Sequence, residues 1–299
     1  MAAHEILAAT NAVVTLDVGI PDIVWPWLVT VNMWAKSIGT GVIFMIFFLL
    51  RMYPDSSQKL RLPVAIISFI FLNIFLLFTL ADLHQPLRMW HIFVYSHWTS
   101  AIAVGAMMAT VFVGLVSLLV LLAWQKKNEA FDKLLLWTTI LAIPVTLYTA
   151  SLMAQCTARE LWQMPTEAAQ MMLAALIAGS ATLILVGNSL SDEAKRFLGV
   201  VLGLSALMAF IIFMSEYIFG PMKAEEVTAV LAFIKGNGEW TTAFWLGQWL
   251  TYLLPMLLVV LSRVSGSTAI LKLAAILSLI GLAIVKHVWL IIPQLLPMS

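Results

Sequence analysis

Charge is scarce in this chain. Only 10% of its 299 residues are Asp, Glu, Lys or Arg, and 62% are hydrophobic. The mean hydropathy is +1.01. A water-soluble domain needs far more polar surface than this, so the composition excludes a soluble protein and marks an integral membrane one. Cysteine is nearly absent. The one thiol, Cys156, excludes an internal disulfide and any four-thiolate iron–sulfur cluster held by this chain alone. A net charge of +1 leaves no basic surface to suggest nucleic acid as a partner. The opening stretch carries Glu5, Asp17 and Asp22 and has no basic start, unlike a signal peptide. Residues 1–23 therefore read as a short acidic tail translocated ahead of the first helix.

Long apolar runs are what the chain has instead. Eight stretches read as membrane-spanning helices, at about 24–50, 63–81, 98–124, 133–154, 167–189, 196–219, 240–262 and 268–293. Charged or turn-rich segments such as "RMYPDSSQKLR", "QKKNEAFDK", "NSLSDEAKR" and "SRVSGS" separate them. The expected fold is an all-α integral membrane protein of eight helices.

Lysine and arginine give the expected orientation. One set of connections holds Arg51, Lys59, Arg61, Lys126, Lys127, Lys133, Lys195, Arg196, Arg263 and Lys272; the opposite set holds only Arg88, Arg159, Lys223 and Lys235. The richer set belongs in the cytoplasm, which places both termini on the outer side of a prokaryotic inner membrane. Most tryptophans, among them Trp25, Trp90, Trp98 and Trp289, then fall in the outer half or just beyond it. An ordinary aromatic belt has two sides, so the excess points to an outer surface packed against a partner protein or a flat ligand.

A faint repeat divides the chain. The third span opens "HWTSAIAVG" and the seventh "EWTTAFWLG", both fitting W-T-[S/T]-A-x-x-x-G, and each follows a connection that begins near an acidic residue, Asp82 or Glu216. Two four-helix bundles in tandem, 24–154 and 155–299, are expected from this pattern.

Within the apolar spans the costly groups are few, and their depth is informative, because a charge in hydrocarbon costs at least about 2.5–3.5 kcal/mol. Asn32 and Lys36 share a face of the first helix, and Lys36 lies about 18 Å below that helix's outer start. Asp82 closes the second span and His84 follows at once. Tyr148 lies in the outer third of the fourth span and Glu216 near the end of the sixth. Gln248 stands two turns into the seventh, and Lys286 and His287 are in the outer third of the eighth. The inner halves are strings of Leu, Ile, Val and Phe. Three readings compete. The groups are structural, with Lys36 pairing Asp82; or they mark an ion- or solute-translocating path, which the apolar inner halves argue against; or they line a pocket for a molecule with a greasy tail and a small polar head. A quinone has that shape, and histidine, carboxylate and tyrosine suit its proton chemistry. Haem is disfavoured, since His84, His91 and His97 belong to one connection and only His287 lies well inside a span.

The connection after the second span carries a recognisable box. "DLHQPLRMWHIF", with Asp82, Leu83, Pro86, Arg88 and Trp90, resembles the Asp-Leu-Gly-Arg-Pro box of the polysulfide reductase membrane subunit and its NrfD-like relatives. "SIGTG" in the first span is similar to that family's first helix. His84 and Gln85 depart from the family's Gly-Arg, which leaves open whether the quinone is menaquinone or ubiquinone. The resemblance implies a membrane anchor that holds neither haem nor iron–sulfur cluster and binds no metal. It implies a docked ferredoxin-like iron–sulfur subunit, often with a molybdopterin-type catalytic subunit, and a quinone site near the docking face. Asp82 and Arg88 come from the box itself. His84, in place of a glycine, is expected to reach a quinone oxygen and share proton transfer with Asp82; Asn32, Lys36 and Tyr148 complete the expected quinone site. Arg88, Trp90, His91, His97 and Trp98 are expected at the docking face. Glu216, Gln248, Lys286 and His287 are nominated by depth alone. The expected function is quinol oxidation or quinone reduction with electron exchange to the iron–sulfur partner.

Overall fold

The computed structural model describes residues 23–296, so the expected tail lies almost wholly outside the described residues. Among the described residues there is no strand. Eight helices are long and apolar enough to cross a bilayer: α1 (Trp27–Met52), α2 (Pro54–Asp82), α3 (Ala101–Trp124), α4 (Asn128–Ala154), α5 (Met164–Val186), α6 (Asp192–Met222), α7 (Thr241–Ser265) and α8 (Thr268–Leu295). The α2–α3, α4–α5 and α6–α7 connections share what is called below the predicted outer end.

The bounds follow the hydropathy reading closely except at the starts of α2 and α4. There the helix runs on into charged sequence that an apolar window rejects. Pro54 takes the first helical position, where its missing N–H costs nothing, and Pro54–Ser57 continues through a 3₁₀ turn, Gln58–Leu60, into the main helix. At the start of α4, Asp132 accepts two hydrogen bonds from the Arg61 guanidinium of α2, at 3.1 and 2.7 Å. This bidentate pair fastens the two helices at the predicted inner end.

Two helices organise the rest. α1 packs against α2, α4, α5 and α8, and α5 packs against α1, α4, α6 and α8. In their most apolar stretches 78% of α1 and 67% of α5 is buried, against 22% of α3, so α1 and α5 form the centre and α3 faces lipid. Small residues make the central contact possible. A Cβ on Gly41 would overlap the Ala175 carbonyl oxygen of α5, and one on Gly179 would overlap the Gly41 carbonyl of α1. In lipid, where burying an apolar side chain brings helices little, such close backbone approach supplies the packing.

α7 is irregular for a reason visible in its sequence. Pro255 brings no N–H to the ladder, and a π-helical turn, Trp249–Leu253, precedes it. At the predicted outer end the connections interlock: Glu226 Oε2 accepts from the Glu160 N–H at 3.1 Å, and Arg159 donates to the Leu296 carbonyl at 2.8 Å. Burial raises the Glu226 carboxyl above the usual carboxylate range, opposed by the Glu160 N–H and by Arg159.

Two predictions follow from the packing. Gly41→Leu should destabilise the fold by about 3 kcal/mol or more, seen as loss of the monodisperse peak in detergent size-exclusion chromatography. A raised carboxyl pKa gives stability that is full below the unfolded value and lost as pH rises through the folded one. Thermal stability should therefore fall as pH rises from 4.5 through that range, and Glu226→Gln should remove this component.

Candidate functional site

A cavity of about 500 Å³ lies near the predicted outer end, walled by α1, α2, α3 and α4 with Leu290 of α8, and bordered by Met89, Ile92 and Phe93 of the α2–α3 connection. Most of its wall is apolar, contributed by side chains such as Phe75, Phe78 and Ile102, with Asn32, Asn73, Thr79, Asp82, Thr110, Tyr148 and Thr149 as polar exceptions. Cavities of about 300–1,000 Å³ with a few convergent polar groups are the usual form of a small-molecule site.

Asn32 and Thr79 are held by contacts with α2. Asn32 Nδ2 donates to the Phe75 carbonyl at 3.1 Å and to Thr79 Oγ1 at 2.5 Å. Because a backbone carbonyl only accepts, the amide nitrogen must face α2. Asn32 Oδ1 is then left as an acceptor with no donor among the described residues. Thr79 is fixed in turn by donating to the same Phe75 carbonyl.

Tyr148 owes its position to a glycine. A Cβ at Gly105 would stand 2.5 Å from the Tyr148 ring, so the glycine of "HWTSAIAVG" is the space that the ring occupies. The matching Gly247 of "EWTTAFWLG" does the same for Val285 of α8, whose Cγ2 would lie 2.9 Å from a Cβ there. In both places the motif lets the next spanning helix close in.

Lys36 is 1% exposed. Its ammonium donates to Thr149 Oγ1 and sits 4.5 Å above the centre of the Tyr148 ring. The ion pair with Asp82 is not formed: among the described residues the ion pairs are Arg61–Asp132, Lys195–Asp192 and Lys223–Glu216. Lys36 thus stands behind the cavity wall, touching it through Tyr148 and Thr149, while Asp82 lines the cavity itself from the end of α2. The reason is geometric. An aromatic face and a hydroxyl on α4 lie within reach of the lysine arm, and the end of α2 does not.

The remaining sequence-nominated residues lie elsewhere. His84 and Arg88 are exposed on the α2–α3 connection and do not line the cavity. Trp90, His91 and Tyr95 cluster edge to face nearby, with His97 and Trp98 exposed farther along. Glu216 is paired with Lys223 at 2.6 Å. Gln248 is fully buried, and neither amide atom has a partner among the described residues. His287 shares a hydrogen bond of 3.0 Å with Thr30, and Lys286 reaches the Met171 sulfur at 3.5 Å. Glu167 was not nominated by sequence, since it falls at the edge of the fifth apolar run. It is 1% exposed and accepts from Trp289 Nε1 at 2.9 Å. No group of three His, Cys, Asp or Glu side chains placed to hold a metal occurs among the described residues.

Lys36→Met tests the pairing directly. Removing one partner of a buried ion pair costs about 3–5 kcal/mol. With only a hydroxyl and a ring beside the ammonium, the substitution should change unfolding free energy by no more than about 1 kcal/mol, since Thr149 can turn back to its own helix. Chemical denaturation in detergent measures this.

No curated protein matches the chain. The sequence profile described as polysulphide reductase, NrfD, matches residues 19–297, nearly the whole length. The chain therefore belongs to the NrfD family of membrane subunits of quinone-linked oxidoreductase complexes.

Proposed function

We propose that the cavity between α1 and α4 binds a quinone head group, and that the chain oxidises quinol or reduces quinone for an iron–sulfur subunit docked at its outer end. One observation carries this reading: a largely apolar cavity of about 500 Å³ that carries Asn32, Asp82 and Tyr148, in a protein of this family. The isoprenoid tail needs only apolar wall, which the lipid-facing side between α2 and α3 provides. The head group needs hydrogen bonds at both oxygens and a route for protons.

In the proposed site Asn32 Oδ1 accepts from one quinol hydroxyl, and its two bonds to α2 keep the amide from turning. Asp82 takes a proton from the head group as general base. His84, two residues on and exposed to water, passes that proton outward. Tyr148 donates toward the head group. Lys36 lies beneath its ring and Thr149, and its positive charge favours the electron-rich states of the quinone without touching it. Arg88, Trp90, His91, His97 and Trp98 form the proposed docking surface for a ferredoxin-like iron–sulfur subunit, with a molybdopterin-type catalytic subunit beyond it. The proposed placement is a prokaryotic inner membrane with both termini outside. The proposed organisation is two tandem bundles dividing near residue 155, with the quinone in the first.

Asp82→Asn in the assembled complex should leave quinone binding within about threefold of wild type while lowering quinol turnover about 100-fold, the usual scale for a lost general base. Quenching of Trp25, which lines the cavity, by a short-chain quinone analogue measures binding. Absence of saturable quenching in the wild type would rule out the cavity as the quinone site.

A further inference from the structure

Behind the cavity, on the side facing α5 and α8, lies a second, small space of about 20 Å³, room for one water molecule. Its polar walls are Glu167, Gln170, Tyr252 and Lys286. Met33, Met153 and Leu290 line both this space and the larger cavity, so two methionines and a leucine are the partition between them. Methionine side chains are flexible enough to let such a partition open.

The groups around the small space are not explained by packing. Lys286 is 7% exposed, and the only hydrogen-bond partner its ammonium reaches among the described residues is a thioether, a weak acceptor. Glu167 Oε1 accepts from Trp289, which leaves its second oxygen for another donor. A water between carboxylate and ammonium would give both of them partners. The π-helical turn of α7 carries Tyr252 to the same space.

Further polar groups lie between Glu167 and the surface. Thr166, next to Glu167 on α5, donates to Glu216 Oε1 at 3.3 Å. Lys223 donates to both oxygens of Glu216, at 2.7 and 2.6 Å, and its side chain is 27% exposed. Glu216 and Lys223 thus lie between Thr166, the chain neighbour of Glu167, and water at the predicted outer end.

We propose that Glu167 and Lys286, with one water between them, form a proton-holding station behind the quinone cavity. It takes one of the two quinol protons across the Met33–Met153–Leu290 partition and releases it outward through Glu216 and Lys223. This rests on the quinone reading above. The chemistry requires two proton partners: the hydroxyls of a quinol lie at opposite ends of its ring, and one carboxylate at Asp82 serves only one of them. On oxidation two O–H bonds break and two electrons pass to the iron–sulfur acceptor. One proton leaves by Asp82 and the other enters the station; quinone reduction runs the same steps backward. The placement fits a duplicated plan. Gln170 precedes Gly179 in α5 by as many residues as Asn32 precedes Gly41 in α1, and Glu216 stands near the end of α6 as Asp82 does at the end of α2. In the second half the space has closed to the size of a water, with Lys286 of α8 at its wall.

The test uses the intact complex. Glu167→Gln preserves volume and the acceptor for Trp289 but holds no exchangeable carboxyl proton. It should lower kcat for quinol oxidation at least about tenfold and raise the solvent deuterium isotope effect, with the quinone dissociation constant within about twofold of wild type. Glu167→Asp should restore part of the rate, and Lys286→Met should slow turnover in the same direction. Wild-type kcat and isotope effect in Glu167→Gln would overturn the station, as would equal loss in the Gln and Asp variants accompanied by weakened quinone binding. A wild-type chain that binds no quinone overturns the cavity reading instead. In that case an infrared carboxyl band that shifts in heavy water and vanishes in Glu167→Gln still supports a proton-holding group at this place, and its absence rejects one.

Discussion

The crossing of α1 over α5 is the constraint from which the other placements follow. Gly41 and Gly179 let two backbones meet with no side chain between them, and that contact puts α1 at the centre with neighbours on every side. A central helix can carry groups that no lipid-facing helix could tolerate. Asn32 and Lys36 are buried because α2 offers Asn32 a carbonyl and a hydroxyl, and α4 offers Lys36 a hydroxyl and an aromatic face. These two costly groups in the bilayer are tolerated through partners on neighbouring helices.

The same logic separates the two ends of the protein. The predicted inner half is held by apolar packing and by the Arg61–Asp132 pair at its rim. The predicted outer half has both cavities, the interlocked connections and the exposed aromatic side chains around Trp90 and Trp98. A translocation path through the full thickness would need polar lining where these helices present leucine, isoleucine and phenylalanine. Chemistry confined to the predicted outer half fits the proposal that quinone and electron acceptor are met near one surface.

Much of this was legible in the sequence because hydropathy reports burial in lipid directly. The eight spans and the depth of Lys36 needed only counting. The charged start of α2 was missed because an apolar window stops at "SQKLR", although Pro54 there marks a helix start. The partner of Lys36 was not legible: linear sequence orders groups by depth and says nothing about which helix faces which. Asp82 was the chemically obvious choice, and Tyr148 with Thr149 was the geometric one. Glu167 was hidden by its place at the edge of an apolar run, where an acidic residue reads as an interfacial cap. The glycines of the W-T-[S/T]-A-x-x-x-G motif were visible as a repeat, but the clearance that each gives a side chain of the next helix required coordinates.

The central claim is that the head group lies among α1, α2 and α4, and photolabelling tests it most directly. An azido-quinone irradiated with the intact complex, followed by peptide mapping, should label segments containing Asn32, Thr79 or Tyr148, and excess unlabelled quinone should suppress that label. Label confined to α5–α8 or to a partner subunit, or label that excess quinone does not displace, would contradict the account.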